Sequence, residues 1–290
     1  MTADKQSHPA GLRVIILTHN EERDLPRCLS ALKGWSCIAI LDSGSVDCTV
    51  ELAASSGAEV YTHPFSSFGR QRNWALENCV GEAEWVLFLD ADEVATPAFR
   101  SAVDAAIRAA QDEVAGFYCC WKTIMGARWL KRCDAFPKWQ FRLVRVGRGQ
   151  FSDFGHGQKE GVVRGLLAFI SEPYLHYAYG KGWSHWIERH NRYSTLEADT
   201  RRAVRGSWSE ALRLKGSARN QALKPLLTRW ALWPLVRFCA DYFGRRGFLE
   251  GREGLTYCVN MAYYEFLIQL KIAESNRADQ RPPKGRSRER

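Results

Sequence analysis

The stretch Glu84-Trp85-Val86-Leu87-Phe88-Leu89-Asp90-Ala91-Asp92-Glu93 decides the fold. Residues 85–89 are apolar without interruption, the pattern of a strand covered on both faces, as in a parallel sheet. The carboxyl end of that run delivers an acidic cluster. Ligands of open α/β sheets bind beyond the carboxyl ends of the strands, so Asp90 and Asp92 emerge where such a ligand would lie. Two carboxylates one residue apart suit a hard divalent cation that also holds a diphosphate.

Outward from this strand, strand and helix signals alternate. Residues 12–17 form an apolar run ending in Thr18-His19-Asn20-Glu21-Glu22, and Asp24 can cap a helix carrying Leu25, Cys28, Leu29 and Leu32. A second run, 37–41, ends in Asp42-Ser43-Gly44-Ser45, and Asp47 opens a helix that Gly57 stops. A strand over 59–63 and a helix over 69–78 follow, and Pro97 sits in the first turn of the next helix. Repeated βα units of this length predict an α/β fold with a doubly wound, mostly parallel, nucleotide-binding sheet.

From Ala115 the pattern changes. Residues 117–121 and 140–146 read as strands, the second interleaving Phe141, Leu143 and Val146 with Arg142 and Arg145. A Gly-rich turn over 151–161, a short strand over 174–177 and a helix from Gly182 follow, and the last hundred residues are mostly helical. The expected organisation is a flexible N-terminus (1–10), a catalytic domain over 11–200 with halves 11–125 and 126–200, a helical extension over 201–275, and a disordered basic tail over 276–290.

The 290 residues are 46% hydrophobic, enough to bury a substantial core, and carry a net charge of +9, which favours an anionic partner. Nine cysteines with no C-x-x-C pair argue against a disulfide framework or a zinc ribbon and suit a reducing, cytoplasmic compartment. Neither a signal-peptide core nor an apolar stretch long enough to span a membrane is expected.

Four polar clusters thus converge at strand ends: residues 18–22, 42–45, the turn after His63, and 90–93. No G-x-G-x-x-G follows the first strand and no G-x-x-x-x-G-K-[ST] exists, which disfavours a Rossmann dehydrogenase or a P-loop NTPase. The ordered motifs Val14-Ile15-Ile16-Leu17-Thr18-His19-Asn20-Glu21-Glu22, Leu41-Asp42-Ser43-Gly44-Ser45-Val46-Asp47, Gly69-Arg70-Gln71-Arg72-Asn73-Trp74-Ala75-Leu76 and Leu87 to Glu93 resemble the family 2 glycosyltransferases. The resemblance is close over residues 12–125 and extends through 139–145 and His176 to about residue 200. Within the family it is most similar to the lipopolysaccharide-core β-glucosyltransferase-like branch.

That resemblance implies a GT-A fold, a nucleotide-diphosphate sugar as donor, a D-x-D motif and a Mn²⁺ or Mg²⁺ ion. It places Thr18, Asn20 and Glu21 along the nucleotide and Asp42 with Ser43 at base or ribose. Arg72 falls near base or phosphate, Asp90 with Ala91 near ribose or a metal-bound water, and Asp92 on the metal. Inverting transfer needs a base for the acceptor hydroxyl. Where relatives carry an E-D or H-E pair, this chain has Phe154-Gly155-His156-Gly157-Gln158-Lys159-Glu160, which departs from both forms. Glu160 is the first candidate, His156 the second and Asp153 the third.

Residues 226–238 and 257–271 carry Trp or Tyr with flanking cations, a composition that suits helices lying on an anionic membrane or packed on the domain or a second subunit. A lipid-linked or polysaccharide acceptor favours the first, with the protein peripheral at the inner face of the plasma membrane. A nucleotidyltransferase of related fold would show a Gly-rich loop with Arg and Lys after the first strand, which His19 to Glu22 is not. Nucleic-acid binding is not expected, because the cations are dispersed or in the tail and carry no recognised motif.

Overall fold

The structure, a computed structural model, describes residues 11–279 apart from 36, 156, 204–206 and 229. The chain forms two compact units, Met1–Trp183 and Ser184–Arg290.

In the first unit, β1 (Leu12–Thr18), β2 (Ile38–Asp42), β3 (Glu59–Thr62) and β4 (Trp85–Asp90) pair in parallel in the order β3-β2-β1-β4. Helices α1 (Leu25–Ala31), α2 (Thr49–Ser55) and α3 (Phe68–Asn78) connect them. The sheet then continues through β8 (Trp139–Arg145), β6 (Val114–Met125), β11 (Leu166–His176) and β5 (Glu93–Val94), with β7 (Arg128–Trp129) on β6. Strand β8 is antiparallel to both neighbours, β6 and β11 are parallel, and α4 (Pro97–Ala109) links β5 to β6. The expected mostly parallel GT-A type sheet is thus present, mixed in its second half.

The apolar run of β4 is buried on both faces. Leu87 and Leu89 pack with Val14, Ile16, Leu25 and Leu32 and with Phe99 and Val103 of α4, while Val86 and Phe88 pack with Ile15, Leu41 and Ala75. Each such side chain contributes about 1.5–3 kcal/mol on burial. A slip of one residue would exchange the two faces, so this packing fixes the register that puts Asp90 at the sheet edge.

Local chemistry sets the helix starts. Ser67 accepts from the Arg70 amide and Thr96 from the Phe99 amide, with Pro97 in the first turn as its fixed φ allows. Asp24 occupies the N-cap position of α1 but bonds Arg27 instead of capping. Asp47 precedes the N-cap of α2, and its two oxygens receive the amides of Thr49 and Glu22, tying two loops together.

Two segments differ from the sequence reading. Residues 151–161, expected as a turn, lie in an antiparallel hairpin of β9 (Gly149–Phe154) and β10 (Gly157–Val163). Its glycines mask the strand signal yet serve close packing: a Cβ on Gly161 would stand 2.6 Å from Ser152 Oγ. Strand β11 is far longer than the short strand expected, and its pairing with β6 shifts between Ile170 and Tyr174, where Pro173 cannot donate to the ladder.

The second unit is helical: α5 (Trp183–Ala203), α6 (Trp208–Arg213), α7 (Gly216–Leu227), α8 (Trp233–Cys239) and α9 (Gly251–Asp279), with a π turn over Ala240–Gly244 and a 3₁₀ turn over Gly247–Glu250. Arg201 binds Glu265 at 2.7 Å, while Arg237 and Arg245 both hold the buried Asp241, at 2.5 and 2.6 Å. Among the described residues no helix is long and apolar enough to cross a membrane.

Candidate active site

The end of β4 is built around buried charge. Asp90 Oδ1 accepts from Arg72 Nη2 at 2.8 Å and Oδ2 from Arg142 Nη2 at 2.9 Å. Arg142 also reaches Glu93 Oε1 at 2.6 Å, and Glu93 Oε2 accepts the Asp90 amide at 2.9 Å, closing the turn around the buried Ala91. Both arginines are buried: α3 supplies Arg72, and a β-bulge supplies Arg142. Phe117 faces Leu143 and the next residue, Tyr118, faces Phe141, so Arg142 is the extra residue on β8. Bulges re-aim a side chain in this way beside functional sites. Burial would raise the Asp90 carboxyl, but Arg142 and Arg72 outweigh it and hold it well below the usual carboxylate range. Burial dominates at Glu93 and raises it.

Asp92 faces a different partner. Its Oδ2 lies 3.4 Å from His176 Nε2, and both side chains keep solvent access, 17% and 25%. The irregular β11 brings His176 here: it pairs with Glu93 of β5, and the next amide, Tyr177, bonds the Asp92 carbonyl at 2.9 Å. Burial opposes the charged imidazole of His176, but Asp92 prevails and raises its pKa.

The ends of β1 and β2 form a second polar edge. Buried Asp42 accepts from Thr18 Oγ1 at 2.9 Å, Ser45 Oγ at 2.5 Å and the amides of Gly44 and Ser45 at 2.9 and 2.8 Å. Ser43 Oγ receives Gln71 Nε2 at 3.1 Å. Asn20, at φ 55°, donates its amide to Ser45 Oγ and accepts from Val46 through its side chain. Lys181 bonds the Asn20 carbonyl at 2.8 Å and Glu21 Oε1 at 2.5 Å. Burial pushes the Glu21 carboxyl up to about 7 against the pull of Lys181.

The three candidate bases fare differently. Asp153 Oδ1 accepts the Gly69 amide at 2.8 Å, capping the start of α3 from β9. Glu160 lies on β10 opposite Phe151 and takes a hydrogen bond from Tyr118, whose hydroxyl is pushed up to about 12 by burial and by Glu160. His156 lies outside the described residues.

Sequence reasoning missed Glu93, Arg142 and Lys181 as members of the site. An arginine inside an apolar strand, between Phe141 and Leu143, and a lysine between Gly180 and Gly182 were the available signals. No cluster of three or more metal-binding side chains occurs among the described residues. A cation shared with a diphosphate needs only one or two protein ligands. Asp92 and His176 offer one carboxylate and one imidazole; the Asp90 side chain is 34% exposed, but each of its oxygens already accepts from an arginine.

Residues 13–156 match Glycosyl transferase family 2. The lipopolysaccharide core biosynthesis glycosyltransferase LpsC of Rhizobium meliloti is 26% identical over 277 residues, spanning 93% of this chain and 95% of that protein. Among solved structures, S. aureus TarS 1–349 aligns with 15% identity and a TM-score of 0.42 over 93% of this chain and 92% of that one. Glucosyl-3-phosphoglycerate synthase of Mycobacterium tuberculosis, solved with Mg²⁺ and uridine diphosphate, aligns with 16% identity and a TM-score of 0.41 over 64% of this chain and 76% of that one. The chain is a glycosyltransferase and belongs to family 2.

Proposed function

We propose that this glycosyltransferase moves a sugar from a nucleoside-diphosphate donor, with inversion at the anomeric carbon, to a lipid-linked or lipopolysaccharide acceptor. The observation that carries the reading is the division of labour at the end of β4: Asp90 is locked between two arginines while Asp92 faces His176 beside it. The lipopolysaccharide acceptor draws support from LpsC, a protein named for core biosynthesis.

In this reading the edge formed by Thr18, Asn20, Glu21, Asp42 and Ser43 receives the nucleoside. Arg72 and Arg142 keep the Asp90–Glu93 turn rigid, so that Asp92 needs no reorganisation during transfer. Asp92 and His176 would hold Mn²⁺ or Mg²⁺, which supplies positive charge against the leaving diphosphate when bound. Glu160 takes the proton of the acceptor hydroxyl, and its bond from Tyr118 orients the carboxylate. Asp153 is the weaker candidate because its carboxylate already serves α3.

The test is to incubate the protein with a panel of nucleotide sugars and glycan from cells lacking it, then assign the new linkage by NMR. An inverted anomeric centre and loss of transfer in EDTA are expected. A retained anomer, or full turnover in EDTA, would contradict the mechanism.

We further propose a peripheral position on the cytoplasmic face of an anionic membrane. Support comes from exposed apolar side chains of the second unit, including Trp230, Leu232, Leu235 and Phe243. Of the cations near these side chains, Arg237 and Arg245 are engaged by Asp241, and Arg229 lies outside the described residues. Attraction would therefore rest on Arg246 and Arg252, both exposed. Flotation with anionic liposomes at low salt checks this; protein left in the lower fraction would contradict it.

A further inference from the structure

The carboxyl end of β6 runs into a strongly basic hairpin. Between Lys122 and Lys138 the chain carries five cations and one acid, Asp134, a net of +4 within the whole chain's +9. Arg128, Lys131 and Arg132 are exposed.

The segment is a built structure and not a loose loop. Leu130 and Cys133 are fully buried. Buried Asp134 accepts from Thr123 Oγ1 at 2.5 Å and from Lys138 Nζ at 2.6 Å, and Thr123 receives the Trp121 indole at 3.1 Å. Lys122 and Lys131 lie over the Trp129 ring, 4.7 and 5.3 Å from its centre. An aromatic face holds a cation without neutralising it, so the positive charge of the hairpin persists.

Position decides which substrate this charge serves. Thr123 pairs with His176 in the sheet, and the Trp121 ring lies 6.2 Å from the His176 ring. The hairpin therefore begins beside the proposed reaction centre. The nucleoside edge is formed by β1 and β2, on one side of β4, whereas β6 lies two strands beyond β4 on the other side. At about 4.8 Å per strand β6 lies about 10 Å across the sheet from β4, so the hairpin flanks the centre on the side away from the nucleoside edge.

We propose that this hairpin binds an anionic substituent, a phosphate or a carboxylate, on the acceptor glycan, so that the acceptor is an acidic saccharide. Arg128 and Arg132 suit the planar, bidentate recognition of such groups, and Lys131 adds a point charge. The inference rests on the glycosyl-transfer reading above for its choice of acceptor over donor.

The experiment uses the full chain and glycan isolated from cells that lack it, which accumulate the acceptor. That glycan is divided into native, dephosphorylated and carboxyl-reduced portions. Binding of each is measured calorimetrically against wild type and the variant Arg128→Gln/Lys131→Gln/Arg132→Gln, with nucleoside-diphosphate binding measured in parallel. The expected result is a loss of about tenfold or more in affinity for native glycan in the variant, weaker binding in high salt, and unchanged nucleotide affinity. One stripped portion should lose affinity for wild type to a like degree, which names the anion. Should the triple variant not fold, Lys131→Glu alone, on an exposed side chain, should weaken native-glycan binding in the same direction. Equal affinity of wild type for all three portions, or of a folded variant for native glycan, would overturn the proposal. Wild-type binding to acidic glycan without any sugar transfer would instead overturn the functional reading and leave this one standing.

Discussion

The ends of β2 and β4 each present an aspartate at the same edge of the sheet, satisfied by opposite means. Asp42 receives only neutral donors, from Thr18, Gly44 and Ser45, and most of them lie within three residues of it. Asp90 receives two guanidinium groups from residues 18 and 52 positions away. A neutral cradle orients a carboxylate that can meet a neutral ligand group. A cationic lock removes a carboxylate from ligand chemistry and turns it into a fixed part of the frame. The chemistry next to Asp90 then passes to Asp92.

Removing the lock should have the largest effect. Arg142→Ala leaves Asp90 and Glu93 without their shared partner, and breaking a buried pair this way costs about 3–5 kcal/mol. Urea unfolding measures it, and a loss below about 1 kcal/mol would place Arg142 among ordinary surface ion pairs.

Next comes Glu160→Gln, which keeps shape and loses basicity. Turnover should fall by a factor on the order of 10², with melting temperature and donor affinity unchanged. Turnover close to wild type would leave Glu160 as a partner of Tyr118 alone and return attention to His156.

A smaller effect is expected at the neutral cradle. In Asp42→Asn the side-chain oxygen can stay toward the Gly44 and Ser45 amides, but the new NH2 meets the Thr18 and Ser45 hydroxyls, which must turn from donating to accepting, at a cost of about 1–3 kcal/mol. Equal losses for Asp42→Asn and Arg142→Ala would erase the contrast between the two strand ends. The smallest change is Asp153→Ala, which removes a cap from α3 and should cost about 1 kcal/mol with turnover preserved. A hundredfold loss of turnover at unchanged stability would make Asp153 the base.

This contrast also shows what a sequence can and cannot disclose. The strands, the helix starts at Pro97 and near Gly69, and the acidic turn follow from apolar runs and local caps, whose causes lie within a few residues. The polar cluster at Asp42 was legible for the same reason, since Ser43, Gly44 and Ser45 adjoin it, although its hydrogen bonds were not. The lock was not: Arg142 acts through a bulge, and a bulge depends on pairing with Phe117 and Tyr118 of another strand. His176 reaches Asp92 through a second irregular pairing, around Pro173. Glycines hid β9 and β10, because positions that need close packing carry no β-branched side chain to announce a strand.

The most direct test of the account separates the two carboxylates of the motif. Calorimetry with Mn²⁺ and a panel of nucleoside diphosphates should be run on wild type and on Asp92→Asn. Wild type should bind one nucleotide in a Mn²⁺-dependent way, and Asp92→Asn should lose that dependence while unfolding at the same urea concentration. Mn²⁺-dependent binding of undiminished strength in Asp92→Asn would contradict the claim that Asp90 is frame and Asp92 the working ligand.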